Sequence, residues 1–251
     1  MRTLVWGVLP YVVLAVFVLG HVWRWRVDQM GWTTHTSQLL ESRLLRLGSP
    51  LFHLGMLMVV GGHAVGLLIP ASWTEAVGIS ENTYHWLSLV AGGLAGLMTV
   101  TGLGLLIARR FVAGRLKRVT TRMDKVLYAW LALVVALGMA TKVGSLLGHG
   151  HEYRGTVSVW FRSVFALQPD VEVLATVPFV YQAHALVALG LFALWPFTRL
   201  VHVLSVPIGY LARPYVVYRR STAPAHRPTV PQPRTGADVQ AEARPRVPVQ
   251  R

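Results

Sequence analysis

Long apolar segments alternate with shorter polar ones along most of this chain. Five apolar segments run for about 20 residues, the length that an α-helix needs to cross the hydrocarbon core of a bilayer. They comprise residues 4–22, 50–69, 86–107, 126–147 and 178–202. The pattern therefore predicts an all-α membrane protein with a bundle of five transmembrane helices.

The composition agrees with this prediction. Of the 251 residues, 53% are hydrophobic and 14% charged, and the mean hydropathy is +0.48. All ten acidic residues lie between the predicted spans or at their margins, as expected because unpaired charge is costly in lipid. Spans without carboxylates argue against a proton-coupled transporter. The chain has no cysteine, so any redox centre needs ligands other than thiolates.

Lysine and arginine are distributed unequally between the two sides of the membrane. The first connection holds four, the third seven and the tail from Arg199 nine, whereas the second holds none and the fourth two. Because these residues accumulate in the cytoplasm, the N-terminus is predicted outside and the C-terminus inside. The formal net charge of +14 then reflects topology and contact with lipid, not nucleic acid. Lys142, near the outer end of the fourth span, is expected to extend toward the headgroups.

The composition changes near the end of the fifth span. Residues 1–206 are predicted to form the transmembrane domain, and residues 207–251 a cytoplasmic tail rich in proline and arginine. Few large apolar residues occur there, so the tail is expected to be disordered from about residue 221. The protein is accordingly predicted to be an integral protein of a prokaryotic cytoplasmic (inner) membrane.

Four of the ten histidines lie in the second and fifth predicted spans, two in each, and the interiors of the other three spans contain none. They are His53 and His63 in the second span, and His184 and His202 in the fifth. Each imidazole needs hydrogen-bond partners in lipid. The second and fifth spans cross in opposite directions, so His63 faces His184 near the outside and His53 faces His202 near the inside. The 10-residue and 18-residue steps correspond to roughly 15 and 27 Å, so tilt or a bend at Pro196 is required.

Facing histidines from two helices can hold a planar haem, each giving one axial nitrogen to iron. Two pairs predict two haem b groups stacked across the membrane, and with both axial positions filled the expected work is electron transfer. Glycines beside the histidines, including Gly62 and Gly66, would make room between the helices; close helix packing is the alternative explanation. The anionic propionates of the inner haem are expected near three arginines. These are Arg199, Arg109 and Arg110.

Three segments resemble the cytochrome b, or gamma, subunit of respiratory nitrate reductase. They read SPLFHLGMLMVVGGHAVGLLIP, AGGLAGLMTVTGLGLLIARR and PFTRLVHVLSVPIGYLARPY, and the likeness covers residues 1 to about 218. The resemblance implies that His63 and His184 hold the outer haem and that His53 and His202 hold the inner one. It further implies oxidation of menaquinol or ubiquinol, and transfer of electrons to a cytoplasmic iron–sulfur subunit and a molybdenum subunit that reduces nitrate. The catalytic residues for nitrate would then lie on another chain.

One departure from the family concerns the quinol site. Some members have a lysine before the third span that is thought to help bind quinol, yet residues 70–85 here contain no Lys or Arg. The quinol is instead expected to contact residues near the outer haem. These are Tyr84, His85 and Glu81, beside Gly62, His63 and Gly66. An interfacial aromatic belt is the alternative role of Tyr84 and His85.

Three other functions remain open at this point. A related cytochrome b subunit serving a different iron–sulfur reductase would have nearly the same sequence pattern. A membrane anchor without a cofactor would have its histidine pairs too far apart to share a metal atom. A transporter would line a path with polar residues, which the acid-free spans disfavour.

Overall fold

The computed structural model describes residues 1–28, 32, 43–112 and 114–204, and these residues form helices without a β-strand among them. Their α-helices are α1 (Leu9–Val27), α2 (Arg43–Leu68), α3 (Ala71–Ala76), α4 (Glu81–Val112), α5 (Gly114–Val119), α6 (Arg122–Leu146), α7 (Val157–Phe165) and α8 (Phe179–Leu194). A π-helical segment, Thr3–Val8, leads into α1. Five helical stretches are long and apolar enough to span a membrane: Thr3–Val27, Arg43–Leu68, Glu81–Val112, Arg122–Leu146 and Phe179–Phe197. The predicted fold class is confirmed in its helical content and in the number of spans.

The first four spans extend beyond the segments predicted from hydropathy. The second begins at Arg43 instead of residue 50, and the third covers Glu81–Val112 instead of 86–107. Hydropathy detects only the apolar part of a span, whereas the helix continues into polar residues for as long as it satisfies its backbone groups. The predicted tail from residue 207, including its disorder, lies outside the described residues.

The spans alternate in direction, which gives the bundle two ends. The basic end contains the end of α1, the beginnings of α2 and α6, and the end of α4. The long-loop end contains the connections 69–80 and 147–178. At the long-loop end, hydrogen bonds connect α7 to the first two spans. Ser158 donates to the carbonyl of Gly66 at 2.8 Å, and the Trp160 indole donates to the carbonyl of Trp6 at 2.9 Å.

Glycines allow α2 and α4 to approach each other closely. A Cβ added at Gly55 would lie 2.7 Å from the backbone nitrogen of Thr99, and one added at Gly102 would lie 2.6 Å from the Cα of Phe52. Both distances are shorter than van der Waals contact, so a side chain at either position would force the helices apart. This is the small-residue packing typical of membrane helices, and it fixes the helix that contains two of the candidate haem ligands.

The fifth span is not one continuous helix. α8 ends at Leu194 and is followed by two 3₁₀ helices, Trp195–Phe197 and Arg199–Val203. The predicted span over 178–202 with a bend at Pro196 therefore continues after Leu194 as 3₁₀ helix instead of α-helix. Pro196 explains the break, because proline lacks a backbone N–H and its ring clashes with the preceding helical turn.

Arg24 of α1 stabilises this break. Its guanidinium donates to the carbonyl of Pro196 at 2.8 Å and to that of Thr198 at 3.0 Å, two acceptors that no longer belong to a regular helix. Thr198 is extended, with φ −116° and ψ 178°, and its hydroxyl accepts from the backbone N–H of Leu200. Thr198 thus starts the 3₁₀ helix that contains His202.

Candidate functional site

The four histidines that the sequence assigned to the second and fifth spans form two facing pairs. The ring centroids of His53 and His202 are 6.1 Å apart with an interplanar angle of 66°. Those of His63 and His184 are also 6.1 Å apart, with an angle of 37°. Two metal–nitrogen bonds of about 2 Å, together with the half-widths of two imidazole rings, amount to roughly 6 Å. Each pair is therefore spaced to share one metal atom.

Hydrogen bonds at Nδ1 orient all four imidazoles. A carbonyl oxygen only accepts, so Nδ1 of each ring carries the proton and Nε2 keeps its lone pair for a metal. The acceptors are the carbonyls of Ser49 for His53 at 2.7 Å, Val59 for His63 at 2.8 Å, Val134 for His184 at 3.1 Å and Arg199 for His202. Such bonds to the second ring nitrogen are the usual support of metal-binding histidine.

The residues at each pair fit a haem better than a bare metal ion. Among the described residues, no group of three or more His, Asp or Glu side chains is placed to hold a metal, and each pair offers two imidazoles. A porphyrin brings four nitrogens and takes two axial imidazoles. Added Cβ atoms at Gly61 and Gly62 would meet nothing within 4 Å, so there is open space beside His63.

Gly138 of α6 makes room for the imidazole of His184. A Cβ added at Gly138 would lie 3.1 Å from Cε1 of His184, and Val134, one turn earlier on α6, accepts the Nδ1 proton. The ring of His184 thus lies against α6 while facing His63 of α2. The site between the second and fifth spans is therefore bordered by the fourth.

At the basic end, the three predicted propionate ligands already have contacts within the protein. Arg199 donates through Nε to Oδ1 of Asp124 at 2.8 Å and binds the same oxygen through Nη2. Arg110 donates to Thr120 at 3.2 Å, and its guanidinium lies 5.8 Å from the centroid of the Tyr128 ring. Arg109 is buried. The propionate contacts of these arginines stay predictions.

At the long-loop end, several of the predicted quinol residues meet. The hydroxyls of Tyr84 and Tyr153 are 3.3 Å apart, and a Cβ added at Gly66 would lie 3.3 Å from the first and 3.0 Å from the second. Gly66 follows His63 by about one turn, so both phenols lie close to this histidine pair. His85 points elsewhere, because consecutive helical side chains differ by about 100°, and its ring lies beside Trp86.

Arg154 holds this cluster together and was not among the predicted site residues. Its buried guanidinium donates to Glu81 at 2.5 Å and to Thr74 at 3.0 Å, and lies 3.9 Å from the centroid of the Tyr84 ring. The sequence contained Tyr153 and Arg154 in the loop motif GHGHEYRG. That motif carried no signal that it would fold back onto the third span.

The sequence of this chain is similar to those of known proteins. The family model described as nitrate reductase gamma subunit matches residues 2–221. A nitrate reductase-like protein NarX of Mycobacterium tuberculosis is 52% identical over 221 residues, which cover 87% of this chain and 34% of that protein. The chain thus spans about a third of the length of that relative.

Two gamma chains match over nearly their whole length. The nitrate reductase gamma chain of Bacillus subtilis is 42% identical over 217 residues, covering 86% of this chain and 97% of the relative. The respiratory nitrate reductase 1 gamma chain of Escherichia coli is 33% identical over 214 residues, covering 84% and 94%.

Proposed function

This chain belongs to the nitrate reductase gamma subunit family, and on that basis we propose that it is the quinol-oxidising diheme cytochrome b subunit of a nitrate reductase. One observation carries the proposal. Within each of the two histidine pairs the ring centroids are 6.1 Å apart, and the Nδ1 of every ring is hydrogen-bonded to a carbonyl oxygen. A cofactor-free anchor predicts pairs too far apart to share a metal atom, which these distances do not favour.

The two pairs have the same task at opposite ends of the bundle. His63 and His184 would hold the haem nearer the long-loop end, and His53 and His202 the one nearer the basic end. A bound haem b would supply one-electron oxidation and reduction. Because the two imidazoles of a pair would both bind the iron of a bound haem, neither site would offer an open position to oxygen or nitrate. The chain's histidines thus support electron transfer across the membrane.

The orientation of the chain gives this transfer a direction. The excess of Lys and Arg at the basic end supports a cytoplasmic location for that end, and quinol would then be oxidised near the outer face of a prokaryotic inner membrane. Each quinol yields a quinone, two electrons and two protons, and the protons leave on the outer side. The electrons go to an iron–sulfur subunit and a molybdenum subunit, where nitrate takes up two electrons and two cytoplasmic protons to give nitrite and water.

The residues around Tyr84 are suited to bind the quinol headgroup. Tyr84 and Tyr153 present hydroxyl groups beside Gly66, and Arg154 fixes both Tyr84 and Glu81. The carboxylate side chain of Glu81 is 43% exposed, so the cluster reaches the surface of the protein at this residue. These groups combine hydrogen-bonding capacity with an exit for protons.

Quinol oxidation is tested in anaerobic membranes that contain the whole complex. Addition of a reduced menaquinone analogue should raise the α-band of reduced b-type haem, and subsequent nitrate should lower it again. If dithionite reduces the haems but the quinol does not, quinol is not the electron donor of this chain. If quinol reduces them and nitrate fails to reoxidise them, the chain serves a different reductase.

A further inference from the structure

Lys142 of α6 is a cation inside a membrane span, and its ammonium forms hydrogen bonds to neutral groups. Its ammonium donates to the hydroxyl of Ser88 on α4 at 3.0 Å and approaches the Ser88 carbonyl at 3.3 Å. Among the residues that the structure describes, no carboxylate forms an ion pair with it. A charged group in a span is costly, and such residues commonly mark functional sites.

The side chain of Lys142 lies across a glycine of the neighbouring helix. A Cβ added at Gly92 would lie 3.0 Å from Cε and 3.2 Å from Nζ of Lys142. Gly92, Ser88 and Tyr84 are spaced four residues apart on α4, so they share one face of that helix. The ammonium on Ser88 is thus about one turn from Tyr84, toward which the lysine side chain extends.

Lys142 is also close to the level of the His63–His184 pair. Gly138, which contacts the ring of His184, precedes Lys142 by four residues on the same face of α6. Since α6 runs toward the long-loop end, Lys142 begins roughly 6 Å beyond that contact. The ammonium is therefore placed between the histidine pair and the Tyr84–Tyr153 cluster.

Other cations at the long-loop end have contacts of a different kind. Arg154 forms an ion pair with Glu81, and Arg2 lies 3.8 Å from the carboxylate of Glu172. Arg162 donates to the carbonyl of Leu67 at 3.1 Å, where the negative end of the α2 dipole favours a cation. Lys142 instead contacts Ser88, about two turns inside α4, where no negative dipole end compensates its charge.

We propose that Lys142 binds a quinol oxygen, supplying from the fourth span the cation that residues 70–85 do not contain. An ammonium has three N–H donors, and Ser88 accounts for two. The remaining donor can bond a quinol hydroxyl oxygen, and this bond strengthens as the hydroxyl loses its proton and the oxygen becomes anionic. The inference rests on the proposed quinol oxidation and adds a binding residue to it.

The test compares Lys142→Gln and Lys142→Arg in membranes that contain the full complex. Removal of a charge-assisted hydrogen bond should weaken binding of a fluorescent hydroxyquinoline N-oxide, a quinol analogue, by roughly tenfold or more. Lys142→Arg keeps the charge and should stay within about threefold of the unmodified chain. Arg2→Gln removes an exposed cation and should leave binding unchanged. Both b-type α-bands should be retained in all three variants.

Three results would overturn the assignment. Analogue binding by Lys142→Gln within twofold of the unmodified chain would mean that Lys142 does not bind quinol. Loss of the haem at the long-loop end in Lys142→Gln would assign the ammonium to haem binding instead. If the unmodified chain itself shows no haem or does not bind the analogue, the proposed function fails together with this inference. The first two results leave the proposed function standing.

Discussion

Replacement of His63 by leucine should remove one of the two b-type haems and leave the other in place. His63 supplies one of two imidazoles in its pair, and a leucine offers iron no lone pair. The pair formed by His53 and His202 lies about 15 Å away along α2 and keeps both ligands. The haem content, measured as the pyridine haemochrome per chain, should fall from two to about one. His202→Leu should have the same effect on the other haem.

A histidine from outside the spans provides the matched control. His149 is exposed in the loop after α6, so His149→Leu should retain two haems with unchanged spectra. Loss of both haems in His63→Leu would show that the pairs are not independent sites. Retention of both would show that His63 is not a ligand.

Asp124→Asn should destabilise the basic end by roughly 3 kcal/mol, because it removes one partner of a buried ion pair and leaves the charge of Arg199 without its carboxylate. The substitution removes the ion pair without removing the helix cap. Asparagine keeps a side-chain oxygen that can accept from the Thr121 N–H and so preserves the helix cap. The carbonyl of Arg199 accepts the Nδ1 proton of His202, so displacement of Arg199 should weaken the haem held by His53 and His202. Thermal unfolding in detergent and the haem content together measure both effects.

A surface carboxylate separates this effect from a general loss of charge. Glu172 is 78% exposed and lies 3.8 Å from Arg2, so Glu172→Gln should change stability by less than about 0.5 kcal/mol. If Asp124→Asn is equally mild and both haems keep their occupancy, the Asp124–Arg199 pair does not support the site. Loss of the haem at the long-loop end alone would also contradict the account.

The five spans could be predicted because the hydropathy of a segment is set by its own residues and does not depend on how the helices pack. The facing of the histidines also followed from the sequence, since helices that cross in opposite directions bring equal depths together. The break after Leu194 was only partly foreseen. Pro196 indicated a bend, but the change to 3₁₀ helix depends on Arg24 of α1, which binds the carbonyls of Pro196 and Thr198.

The contacts that the sequence did not reveal are those between distant segments. Arg154 was counted for topology, yet it is buried against Glu81 and Tyr84, which lie 70 or more residues earlier in the chain. Lys142 was expected to extend toward the headgroups, whereas its ammonium ends on Ser88. No local pattern specifies which helix face such a side chain meets. Only the packing of α4 against α6 and the folding back of the long loop determine these neighbours.

The central claim is that two histidine pairs each bind one haem through both imidazoles. Electron paramagnetic resonance and near-infrared magnetic circular dichroism of the oxidised complex test it most directly, because together they report the spin state and the axial ligands of each iron. The account predicts two low-spin, bis-imidazole haems for each copy of this chain. A single haem, or a high-spin iron with an open axial position in the unmodified protein, would contradict it.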